Sequence, residues 1–225
     1  MGQTGAMSDD SNEVTTRSST VEDWTEALAQ SVGSPGGGAG AGVMLAIAAS
    51  LASMVAGYTD AEGQQQELAK VHSRVRSLRE TALRLADEDA SASRNFGAAF
   101  RLDPGPERDE AIHRASVEAA KASAVLGERA IDAIADFEWL AANGNPALVA
   151  DVVVALGALR AAVTGARTNV SFDLSALRSA GQTPEQIREE QPALLGAVEN
   201  LDAAVDRIDR LTSEVNERSD QVEAG

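Results

Sequence analysis

The chain contains no cysteine. Disulfides, thiolate metal sites and a cysteine nucleophile are thereby excluded. Only two histidines occur, His72 and His113, both in charged surroundings, so no histidine-based metal centre is expected. Aromatic residues make up 3% of the 225 positions. A core built instead from Ala, Val, Leu and Ile favours closely packed helices over a sandwich. Basic residues are also few: 19 Lys and Arg stand against 35 Asp and Glu, a formal net charge of -16. No basic face is left to meet phosphates, so neither nucleic acid nor an anionic membrane surface is an expected partner. The N-terminus has no basic region followed by an apolar one. It is read as no signal peptide, with residues 1–19 an unstructured tail and the cytoplasm the expected location.

What is present is helical punctuation. Thr20 to Asp23 resembles a capping box and starts a first helix running to about Ser31. After a Gly/Pro break, helices are expected over residues 38–58, 60–99 and 108–127, the last possibly continuing to 142 as a separate segment. Leu102 to Glu107 (LDPGPE) and Asn143 to Pro146 (NGNP) are breakers, and Asn145 with Pro146 suits a helix start. A helix to about Ser179 follows. Gly181 to Gln186 (GQTPEQ) introduces one last helix. There Ile187, Leu194, Val198, Leu201, Val205, Ile208, Leu211 and Val215 form a seam with gaps mostly of three or four. No period-2 strand and no repeat is visible. The expected fold is all-α: a single domain over residues 20–225, an antiparallel helical bundle with a long C-terminal helix.

One stretch stands apart. Between Glu26 and Asp60 there is no charged residue, and it includes SPGGGAGAGVMLAIAASLASMVAGYT. It is long enough to span a bilayer, but it is Ala/Gly-rich and flanked by acids rather than by Lys or Arg. It lacks the Lys and Ser/Thr of a phosphate-binding loop. Gly38, Gly42, Ala46, Ser50, Ser53 and Gly57 form a ridge of small residues, which lets helix backbones approach closely. A helix hidden among others is therefore expected. Gly36, Gly37 and Gly38 precede its start, where free N–H groups attract an anion and missing side chains admit a ligand. A simple packing turn is the other reading.

Two further places carry carboxylates. Asp151 sits in an apolar run, on one helical face with Ala155, Ala158, Ala162, Gly165 or Ala166, and Asn169. Small side chains there leave a groove or admit another helix. A carboxylate so placed tends toward a raised pKa, as a proton donor requires; it could equally cap a helix or pair with Arg160 or Arg167. Asp87, Glu88 and Asp89 form a cluster that reads either as a solvated face or as a site. No Ser/His/Asp spacing and no Gly-x-Ser-x-Gly elbow occurs.

Together, SPGGG with its small-residue helix, DEDASA followed by AFRLDP, and GNPALVAD followed by GARTNVSFDL resemble the cyclodeaminase/cyclohydrolase family of folate enzymes. This is the helical half of formiminotransferase-cyclodeaminase and its free-standing relatives. The resemblance implies a homodimer that takes a tetrahydrofolate derivative as substrate, with no covalent cofactor and no metal. It implies either formimidoyltetrahydrofolate cyclodeaminase activity, giving 5,10-methenyltetrahydrofolate and ammonia, or methenyltetrahydrofolate cyclohydrolase activity. A divergent non-catalytic helical binding protein is the third possibility. By motif, Asp89 is the first candidate for general acid/base and Asp151 the second. Pro35, Gly36, Gly37 and Gly38 would form the ligand loop, and Asn145 and Asn169 its hydrogen-bonding walls. The chain departs from the motifs at Ala39, Ser93 and Ala150. Where the family carries basic residues after the small-residue helix, it has the acidic, Gln-rich tract 60–66, whose charge would repel a folate's glutamate carboxylates.

Overall fold

The computed structural model describes residues 14–31 and 33–223. Every regular element among them is helical: α1 (Val21–Leu28), α2 (Gly37–Gly57), α3 (Gln65–Phe100), α4 (Pro106–Asn143), a 3-10 turn (Pro146–Leu148), α5 (Val149–Ser179), α6 (Pro184–Glu190) and α7 (Pro192–Glu223). Helix starts follow local chemistry. The Thr20 side chain accepts from the Asp23 N–H, and Pro106 occupies the first turn of α4. Thr183 and Gln186 make a full capping box for α6.

Two expected helix boundaries need correction. The single last helix is broken: Pro192 has no N–H to continue α6, and Gln191 before it leaves the helical region at φ -125° and ψ 44°. The helix from 108 is not divided near Gly127, because α4 runs unbroken to Asn143. There the glycine serves close packing, since a Cβ at position 127 would lie 2.6 Å from Leu201 Cδ2. The expected tail also joins the fold earlier. Thr16 N–H donates to Asp87 Oδ1 at 2.6 Å, and the Trp24 indole N–H donates to Thr16. Residues 1–13 of that tail lie outside the described residues.

Helix α2 lies between α3 and α5 and runs antiparallel to both. Gly38 meets Asp89 and Ser53 meets His72 on α3, while Gly37 faces Asn169 and Ala41 faces Gly165 on α5. The small-residue ridge is what permits this. A Cβ on Gly42 would sit 2.7 Å from Ala86 Cβ and 3.2 Å from the Ala82 carbonyl oxygen, and one on Gly165 would sit 2.9 Å from Ala41 Cβ. The small face of α5 is thus occupied by α2 rather than left as a groove. Helix α4 closes the other side of α3 and α5. The seam of α7 buries Leu201, Ile208, Leu211 and Val215 against α4 and α5. Bidentate pairs Arg160–Asp209, Arg167–Asp202 and Arg207–Glu138 run along its flanks.

By length and composition α2 and the segment 146–179 could each cross a membrane. Part of their apolar surface faces outward. Met44, Ile47, Met54 and Tyr58 are exposed on α2 and Leu51 is half-buried, a row with gaps of three, four, three and four. Val154 and Phe172 are exposed on α5, with Gly157, Ala161 and Thr168 between them. Neither row carries a charge.

The close α2–α3 contact is testable. Gly42→Val should lower stability by about 1–3 kcal/mol through overpacking against immobile backbone, read as a lower urea midpoint with unchanged slope.

Candidate functional site

The antiparallel arrangement gathers the N-terminus of α2, the C-terminal half of α3, the middle of α4 and the C-terminal half of α5 at one end of the bundle. There a cavity of about 160 Å³ is lined by Gly37, Gly38, Asp89, Ser93, Phe96, Ala119, Ser123, Asn169, Phe172 and Asp173.

Asp89 is the first of its acids. Its two neighbours in the acidic cluster are spoken for at the surface: Asp87 accepts from Thr16 and Glu88 pairs with Arg84. Asp89 points inward and is only 8% exposed. Helix α2 begins at an N-cap, Gly36, that has no side chain to offer its free N–H groups. The Asp89 carboxylate takes that place from another helix, accepting the Ala39 N–H. Only glycine at position 38 allows it, because a Cβ there would occupy the space of the carboxyl group. The Ser93 hydroxyl lies 3.5 Å from Oδ2, at the outer limit of a hydrogen bond. Burial raises the Asp89 pKa, and the Ala39 and Ser93 donors act against that rise.

Asp173 is the second acid, and the sequence reading passed over it. It too is 8% exposed, and no hydrogen-bond donor reaches it among the described residues. Burial, and then the charge of Asp89, push its carboxyl up to about 7. The two groups therefore differ in a useful way. Asp89 has an N–H to stabilise its ionised form, whereas Asp173 has none, so of the two Asp173 holds a proton more readily. Such an arrangement can accept a proton at one oxygen and donate one at another.

The other expected residues divide between the two ends of the molecule. Pro35 is buried, Gly37 and Gly38 line the cavity, and Gly36 immediately precedes them. Asn169 lies one helical turn before Asp173, its side chain facing Gly37. Asp151 and Asn145 are not there. Helix α5 is continuous from Val149, which puts Asp151 about 27 Å along its axis from Asn169. Asn145 caps the 3-10 turn through the Ala147 N–H and donates to the Tyr58 carbonyl, at the opposite end of α2. It lines a separate apolar hollow with Leu140, Val149, Val152 and Val215. Within one chain, then, Asp151 and Asn145 do not share the cavity of Asp89. Nor does Asp151 hold Arg160 or Arg167, both of which pair with α7.

Asp173 was visible in principle. It follows Asn169 by four, on the same helical face, with no Lys or Arg three or four positions away to neutralise it. Among the described residues no cluster of three or more His, Asp or Glu is disposed to hold a metal ion.

The raised carboxyl has a measurable signature. Its folded pKa of about 7 lies above the ordinary 3.8, so its ionised form opposes folding. That penalty is absent below about pH 4, grows as the pH rises toward 7, and is constant above. Asp173→Asn should therefore raise the urea midpoint relative to the parent at pH 8 and leave it nearly unchanged at pH 4. An equal difference at both pH values would contradict the assignment.

Comparison with known proteins adds the lineage. A search of curated proteins finds no matching sequence. Among solved structures, formiminotetrahydrofolate cyclodeaminase from Thermotoga maritima superposes with a TM-score of 0.75 at 23% identity, over 89% of this chain and 97% of that one. At that identity the likeness speaks for the fold. The profile of the formiminotransferase-cyclodeaminase family matches residues 20–191, taking in the glycine loop, both cavity acids and helices α1 to α6. A helical, folate-related cyclodeaminase lineage thus agrees with the bundle described above, and the chain belongs to the formiminotransferase-cyclodeaminase family.

Proposed function

We propose that the chain is a formimidoyltetrahydrofolate cyclodeaminase, acting in the cytoplasm on a reduced folate. The observation that carries this reading is the buried Asp89–Asp173 pair at the glycine-opened start of α2. In the reaction, N10 of the substrate adds to the formimino carbon carried on N5, leaving that carbon bonded to N5, N10 and an amino group. N10 then loses its proton, the amino nitrogen gains one and departs as ammonia, and the methenyl bridge remains. One group must take a proton while another gives one. Asp89, whose carboxylate accepts the Ala39 N–H, is suited to the first task. Asp173, poised at about 7, is suited to the second. Gly36, Gly37 and Gly38 let the substrate approach the backbone, and Asn169 offers an amide to it.

A second reading uses the same groups. With the bridge already formed, an ionised Asp89 would activate water against it, and the chain would be a methenyltetrahydrofolate cyclohydrolase. The two are separated by the direction of change. Methenyl absorbance rising with ammonia release from 5-formiminotetrahydrofolate supports the first; faster-than-buffer loss of that absorbance supports the second. Neither, from folded protein, leaves a binding role. Asp89→Asn should lower turnover by about 100-fold or more, while unchanged turnover would remove Asp89 from the chemistry.

The homodimer is part of this reading. The uncharged row on α2 supports it, because a second copy of so acidic a chain meets least repulsion there. The three–four spacing suits helix-against-helix packing. Wild-type protein should sediment as a dimer, and Ile47→Glu combined with Met54→Glu as a folded monomer. A monomeric parent, or a parent that floats with phosphatidylcholine vesicles, would overturn this use of the face.

A further inference from the structure

The chain has four phenylalanines. One, Phe137, is fully buried in the core. Two others, Phe96 and Phe172, meet from two helices at the acid cavity, and Phe100 packs against Phe96. Phe96 and Phe100 ring centroids are 4.9 Å apart, and Phe96 and Phe172 centroids 6.4 Å apart. Phe172 is 64% exposed, although it lines the cavity beside Asp173. Phe96 packs against the small cluster of Ala99, Ile112 and Ala115, but Phe172, left in water at the opening in a chain so poor in aromatics, has no role in the core.

The cavity itself is small. About 160 Å³ is below the roughly 300–1,000 Å³ of pockets that enclose a drug-sized ligand. It can take a reacting carbon and its neighbours, so the remainder of a larger ligand lies across the mouth. Asp173 is buried there without a donor, and a buried carboxyl without one calls for an N–H from whatever binds. A planar ring bearing N–H groups meets both demands, its edge on the acid and its face on the phenyl ring.

We propose that Phe172, backed by Phe96, is the stacking surface on which a planar, N–H-bearing ring of the substrate lies while its reacting carbon reaches the Asp89–Asp173 cavity. This rests on the folate reading and adds a specificity-determining residue to it. Face-to-face or tilted ring contact is directional, so an aliphatic side chain of similar size is a poor replacement.

The test is calorimetric titration with 5-formyltetrahydrofolate, a reduced folate with no amino group to lose, against the parent and Phe172→Ala, Phe172→Leu and Phe172→Trp, with sedimentation of each. Ala and Leu should weaken binding about 10-fold, Trp should retain it, and the oligomeric state should not change. Affinity indifferent to Phe172→Ala overturns stacking. So does Leu binding as well as Phe, which would make the ring mere apolar cover, or loss of the dimer in Phe172→Ala, which would make it a subunit contact. If the parent itself does not bind, the folate reading fails and stacking with it; if the parent binds and the variants are indifferent, stacking alone fails.

Discussion

A missing side chain governs this molecule. Because position 38 is glycine, a carboxylate from α3 can stand where a Cβ would be and accept an N–H from the first turn of α2. Charge at a helix N-terminus is favourable, and here it supplies the cap that Gly36 cannot. The same scarcity of side chains continues along α2 at Ala39, Ala41 and Gly42, which brings α3 and α5 close enough for Asp89 and Asp173 to line one cavity. With larger residues on α2 the flanking helices would stand apart and the two acids would face water separately.

The wider charge distribution leaves that pair alone. The bidentate arginines are committed elsewhere: Arg74 to buried Asp136, Arg160 and Arg167 to aspartates of α7, and Arg207 to Glu138. Each ties two helices together. No Lys or Arg lines the acid cavity. Two buried carboxyls without a cation are a cost to folding that a proton offsets, and this is what sets Asp173 near neutrality. A structural pair would do better with an arginine, as Asp136 does. Stability given up at a site while neighbouring ion pairs are completed is the pattern expected where chemistry is done.

The architecture was largely legible. Ala-rich composition, the heptad-like seam of α7 and the breakers at Gly105–Pro106 and Gly144–Pro146 are local signals, and they specify helices and their ends. The break at Pro192 was missed because the apolar spacing from Ile187 to Leu194 continues across it. The site was legible only in part. Motif resemblance named Asp89, the glycines, Asp151 and Asn145 together, and within one chain Asp151 and Asn145 lie at the other end of the bundle. Periodicity cannot correct that: positions 151 and 169 share a face of α5, yet sharing a face says nothing of the length of helix between them. Isolation from basic residues does not decide either. Asp89, Asp136, Asp151 and Asp173 all lack a basic residue three or four positions away, and only packing separates the ion-paired Asp136 from the unpaired Asp173.

The packing also bears on the acidic tract 60–66, which on sequence alone argued against a polyanionic folate. The tract follows the C-terminus of α2, and the cavity sits at its N-terminus, so about 30 Å of helix separates them. Solvent-exposed charges interact over about 8 Å at physiological ionic strength. Within one chain, repulsion from Asp60 and Glu62 therefore does not reach the mouth. Arg94 on α3 donates to Ser34, immediately before Pro35 and the glycine loop. The departure that weighed most against a folate in the linear sequence has, in three dimensions, little purchase on the site.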